Sequence, residues 1–69
     1  MNYILWSQEY FKEANIIKDK LSSLKLELST CHQSAAINEI NRRMAVLYNM
    51  YLDCIHTAKL LKSRGEADI

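Results

Sequence analysis

In the second half of this chain, apolar or near-apolar side chains recur in strict 3-4 alternation at Ile37, Ile40, Met44, Leu47, Tyr51, Cys54, Ala58 and Leu61. That spacing keeps one stripe of an α-helix against a partner over about seven turns. The first half carries a matching stripe of Tyr3, Tyr10, Ala14, Ile17, Leu21, Leu24 and Leu28, with Ser7 in its one polar slot. Two long amphipathic helices are therefore expected, and no sheet. There is no proline and one glycine, Gly65, so only the polar stretch 29–34 interrupts the pattern.

The 69 residues make one domain, near the lower limit for a chain that builds its own core. No unbroken apolar run approaches the roughly 20 residues that a membrane span requires. The N-terminus has neither a basic n-region nor a small-residue cleavage site, so no secretory signal is expected. Cys31 and Cys54 are too few for a disulfide scaffold and fall on different parts of the expected fold, about 25–30 Å apart at the helical rise. A reducing, cytoplasmic setting is the expectation. The net charge of +1 supplies no overall field for nucleic acid or an anionic membrane.

Asn2 is the expected N-cap of the first helix, with Met1 and Trp6 at the two positions of a hydrophobic staple; Ser7, with Trp6 and Phe11 as its staple, is the competing cap. Thr30-Cys31-His32-Gln33 reads as a capping box for the second helix, with Ser34 as the competing cap. Lys59, Lys62 and Arg64 suit the negative end of that helix, and Gly65 suits the position just past it. The expected organisation is a helix over about 3–29, a turn over about 30–34, a helix over about 35–64 and a frayed tail over 65–69.

So short a connection favours an antiparallel hairpin. Folding about residue 32 brings residue i near residue 64 − i. Leu24 then faces Ile40, Leu28 faces Ile37, Ile17 faces Leu47, Ala14 meets Tyr51, Ala58 meets Trp6 and Tyr10 falls opposite Cys54. Leu21 and Met44 complete the seam. Large residues meet small ones, as an interdigitated interface requires.

Two helices do not use all the apolar surface. Ile4, Trp6, Phe11 and Ile16 on the first, with Val46, Tyr48, Met50, Leu52 and Ile55 on the second, widen the apolar arc beyond one partner. Burying a large aliphatic side chain is worth roughly 1.5–3 kcal/mol, so exposing six or more forfeits a total comparable to a small domain's stability. The expected remedy is a homodimer, two hairpins closing into an all-α four-helix bundle. The alternative is a different protein docking on the arc. Ile4, Phe11, Tyr48 and Ile55, with Arg42 and Arg43, are the candidate partner-binding residues.

Groups that could carry chemistry are few. His56 follows Asp53 by three residues, which places both on one helix face, but no further His or Cys at i+4 completes a metal site. Cys54 is expected to behave as a small buried hydrophobe, and Cys31 as an exposed turn residue. Arg42 and Arg43 could take a phosphate or a carboxylate, yet Glu39 stands at i+4 to pair with Arg43. No glycine-rich phosphate loop, nucleophile elbow, zinc knuckle or paired catalytic carboxylates occur, so neither an enzyme nor a cofactor is expected. In size and shape the chain is similar to small helical-hairpin regulators such as the sporulation aspartyl-phosphate phosphatases. Their Ser-Gln-Glu-Leu-Asp signature is not matched, because Ser7-Gln8-Glu9 is followed by Tyr10-Phe11. The expected function is a non-enzymatic protein–protein interaction module acting as a homodimer. The alternative is a nucleic-acid accessory protein using Arg42, Arg43, Lys59, Lys62 and Arg64.

Overall fold

Asn2 does cap the first helix: its side-chain oxygen accepts from Leu5 N at 3.0 Å, and its carbonyl accepts from Trp6 N at 3.2 Å. In the computed structural model, which describes residues 2–67, α1 then runs Tyr3–Thr30 and α2 runs Ser34–Ala67. Met1, the staple partner expected for Trp6, lies outside the described residues, as do Asp68 and Ile69 of the tail. No helix among the described residues is long and apolar enough to cross a membrane.

The turn differs from the expected capping box. Thr30 stays helical and its hydroxyl donates back to Glu27 O at 3.0 Å, while Ser29 does the same to Leu26 O at 2.6 Å. Cys31 is extended, and its N–H reaches Leu28 O at 3.3 Å rather than the carbonyl four residues back. The Thr30 hydroxyl thus supplies the donor that Glu27 O would otherwise lack, and α1 ends without a glycine. The second helix begins with Ile37 N donating to Gln33 O at 2.9 Å.

The far end also differs. α2 passes through Gly65 to Ala67, beyond the expected end at Arg64. Gly65 is buried, and no glycine has a positive φ. It is no helix-ending residue but the next step of the 3-4 stripe after Leu61.

The core is a thin seam. Ala14 and Ile17 on α1 are buried with Ile40, Ala58 and Leu61 on α2, and Ser7 is the buried polar member. Leu21, Leu24, Leu28, Ile37, Met44, Leu47, Tyr51 and Cys54 are half-buried along the same stripe. Tyr10 departs from it: it is exposed, and the neighbouring Phe11 is half-buried instead. Neighbouring residues stand about 100° apart on a helix, and at the open end the seam follows Ile4, Ser7 and Phe11 rather than Tyr10.

The pairing register shifts accordingly. Gly65 lies against Ile4, where a fold about residue 32 would have brought Leu60. One heptad along each helix, the same register puts Phe11 level with Ala58. Large still meets small, but Phe11 takes the place opposite Ala58 expected for Trp6, and Ile4 packs on Gly65. Trp6 instead remains exposed and meets Tyr3 edge-on, with ring centroids 6.2 Å apart.

The described chain measures 54 × 14 × 13 Å with a radius of gyration of 15.8 Å. A globule of this length would have about 11 Å. The hairpin is a rod whose two long sides have no covering layer.

Candidate functional site

Heptad positions define those two sides. Ser7, Ala14, Leu21 and Leu28 occupy a, and Ile17 and Leu24 occupy d, on α1; Ile37, Met44, Tyr51, Ala58 and Gly65 occupy a, and Ile40, Leu47, Cys54 and Leu61 occupy d, on α2. In an antiparallel pair the g edges of both helices flank one side of the seam and the e edges flank the other. A groove on each side of the rod follows this division.

On the g side, Lys20, Ser23 and Leu24 of α1 and Arg43, Val46 and Leu47 of α2 line a groove of about 570 Å³, with Glu39 and Arg42 at its rim. The Arg43 Nε donates to Glu39 Oε1 at 3.3 Å, an exposed ion pair one turn apart. Such a pair contributes little to stability and serves mainly to hold Arg43 along the groove. On the e side, Lys18, Leu21 and Lys25 of α1 and Met44, Tyr48 and Tyr51 of α2 line a groove of about 500 Å³. The rings of Tyr48 and Tyr51 stack there, centroids 6.5 Å apart at 24°.

The two faces carry different surfaces. Nine large apolar side chains are exposed among the described residues, and six of them, Trp6, Tyr10, Ile16, Val46, Met50 and Leu60, stand on the g side. Leu5 and Leu26 point away from α2 at the back of α1, and Tyr48 is on the e side. Charge divides as well. The g side holds Glu9, Glu13, Glu27, Glu39 and Asp53 against Lys20, Arg43 and Arg64. The e side holds Lys18, Lys25, Lys59 and Lys62, with Glu66 at its far end as the one carboxylate among the described residues. A net charge of +1 conceals this split.

The candidate partner-binding residues do not form one patch. Ile4 is half-buried against Gly65 and belongs to the hairpin seam. Phe11 and Ile55 are half-buried on the e side, with Tyr48 exposed on the same side. Arg42 and Arg43 border the g-side groove. The five basic residues of the nucleic-acid alternative are also divided: Lys59 and Lys62 fall on the e side, Arg43 and Arg64 on the g side, and Arg42 at the back of α2. Asp53 and His56 are both exposed, on the g side and the back of α2, and no group of three His, Cys, Asp or Glu among the described residues could hold a metal ion. Cys31 and Cys54 are free and half-buried.

The split between an apolar and a lysine-lined face was the feature the candidate residues missed. Its signal lay in the sequence, in heptad letters assigned to the charges as well as to the seam. The fold and these faces define the class as an elongated two-helix hairpin with two unequal sides. No protein-family model, curated protein or solved structure matches the chain.

Proposed function

We propose that this protein is a non-enzymatic interaction module that works as a homodimer, two hairpins packing through their g sides into a four-helix bundle. The observation that carries the reading is the gathering of Trp6, Tyr10, Ile16, Val46, Met50 and Leu60 on one side of the rod. Area points the same way. The chain exposes 5354 Å², where a folded monomer of 8.1 kDa exposes about 4,500 Å². The excess is close to the roughly 800 Å² that each partner contributes to a standard interface.

Charge is compatible with a two-fold arrangement. The turn half of the g side balances Lys20 and Arg43 against Glu27 and Glu39, whereas the open half carries Glu9, Glu13 and Asp53 with Arg64, so an antiparallel partner keeps the two acidic open halves apart. Sedimentation equilibrium over a wide concentration range tests the reading. A dimer that Met50→Asp converts to a folded monomer supports it; a native protein that stays monomeric at high micromolar concentration sinks it.

A further inference from the structure

We infer that the e side of the hairpin is a docking groove for an acidic amphipathic helix of another protein. This inference rests on the interaction-module reading and concerns the side that a g-side dimer leaves outward. Its floor is apolar and aromatic, built from Leu21, Met44, Tyr48 and Tyr51 between the two helices. Phe11 and Ile55, half-buried further along the same side, extend that floor towards the open end. Lysines stand along its length: Lys18 and Lys25 on the α1 wall, one heptad apart, and Lys59 and Lys62 further along α2.

The sign of the charge selects the occupant. Groove residues supply two ammonium groups and no carboxylate, and no ion pair within the described chain occupies either lysine. A second copy of this chain offers its e side with four lysines, which is repelled, or its g side, which the proposed dimer already covers. An anionic ligand is therefore required. A trough between two helices suits a third helix, whose apolar anchors at i, i+3, i+4 and i+7 enter the floor while acidic flanks reach the lysines. Duplex nucleic acid presents phosphates and no apolar anchors to fill such a floor, and a floor recessed between two helices does not reach the acyl boundary of a flat membrane. The stacked tyrosines give the floor rigid area with polar tips, the residue chemistry enriched at such interfaces.

The probe is a fluorescein-labelled synthetic 20-residue helix with a leucine stripe flanked by glutamates, followed by anisotropy against the full chain. Micromolar binding that weakens as salt rises is expected, together with at least a tenfold loss in the double variant Lys18→Glu, Lys25→Glu. Lys12→Glu, at the back of α1, leaves binding unchanged. Circular dichroism and sedimentation of each variant show whether helix and dimer persist, so a failure of the dimer reading is seen in mass and a failure of this one in anisotropy alone. The inference is overturned if the acidic peptide does not bind, if charge reversal at Lys18 and Lys25 has no effect, or if single-stranded DNA or phosphatidylserine vesicles bind these lysines more tightly.

Discussion

A methyl group placed on the α carbon of Gly65 would lie 2.6 Å from Ile4 Cδ1, 2.7 Å from Ile4 Cγ1 and 3.1 Å from the Ile4 backbone nitrogen. The only glycine of the chain is thus present for space, not for conformational freedom, since its backbone is ordinary helix. It lets the last turns of α2 close on the first turn of α1, and Ile4 fills the hollow. Ser7, Ala14 and Ala58, all small and buried, continue the same close approach inward. With so little room inside that end of the rod, Trp6, Tyr10 and Leu60 are left on its surface.

Gly65→Ala sets two effects against each other. Alanine favours a helix interior by about 1 kcal/mol. Overpacking costs about 1–3 kcal/mol, and Ile4 can swing its terminal methyl but cannot move its backbone nitrogen. The clash wins, and a net loss of about 1 kcal/mol is expected in urea unfolding. Combining it with Ile4→Ala is expected to give a coupling energy of about 1 kcal/mol or more in a double-mutant cycle. Additive single effects would separate the two residues.

Ser7 is buried and its hydroxyl donates to Ile4 O at 2.7 Å, a carbonyl that the helix already supplies with a donor. Ser7→Ala removes a locally satisfied hydroxyl and adds helix propensity. The expected result is no loss of stability, or a gain of up to about 0.5 kcal/mol. Ser7→Leu, by contrast, puts a large side chain where the helices approach closely and is expected to unfold or splay the open end.

Ile17 is 2% exposed and Leu26 is 72% exposed. Ile17→Ala is expected to cost about 2–5 kcal/mol, and Leu26→Ala less than about 0.5 kcal/mol. Equal costs would mean that Leu26 is covered in solution, and the back of α1 would then be part of an interface.

Much of the hairpin was legible because a 3-4 stripe constrains both helices at once: Ile17, Ile40, Ala58 and Leu61 are where the alternation puts them. The same rule extended by one step reaches Gly65, but a helix-ending glycine after Arg64 was the stronger local signal, and packing against Ile4 overrode it. The capping box at Thr30 lost to an equally local competitor, the hydroxyl's bond back to Glu27 O. Tyr10 and Phe11 exchanged roles because the seam at the open end follows Ile4, Ser7 and Phe11, a choice that hydrophobic spacing alone does not resolve when both neighbours are aromatic. The candidate surface was legible as an excess of apolar residues but not as two faces. That distinction depends on which edges an antiparallel pairing brings together, a property of the pair rather than of either helix.

Glu39 and Arg43 form the ion pair beside the g-side groove, with both side chains largely in water. Glu39→Gln is expected to lower stability by about 0.3–0.5 kcal/mol at low salt and by nothing measurable at 1 M salt. A larger, salt-resistant loss would show that Glu39 is buried against a second chain.

Ile16 and Met50 stand close to the midpoints of α1 and α2, both exposed and both on the g side. A two-fold axis crossing the rod between them gives complete overlap of two hairpins, and it sets Lys20 of one copy across from Glu13 and Asp53 of the other. Residues on such an axis meet their own copies. With Cys31→Ser and Cys54→Ser as background, Ile16→Cys and Met50→Cys are each expected to cross-link into covalent dimers with a short bismaleimide. Ser22→Cys, on the e side, is expected to remain monomeric under the same treatment. Lys20→Glu is expected to weaken the dimer at least tenfold, and adding Glu13→Lys to restore part of that loss. Efficient cross-linking at Ser22 with none at Ile16 or Met50 would move the dimer to the lysine-lined side and leave the apolar side free, reversing the assignment of the two faces.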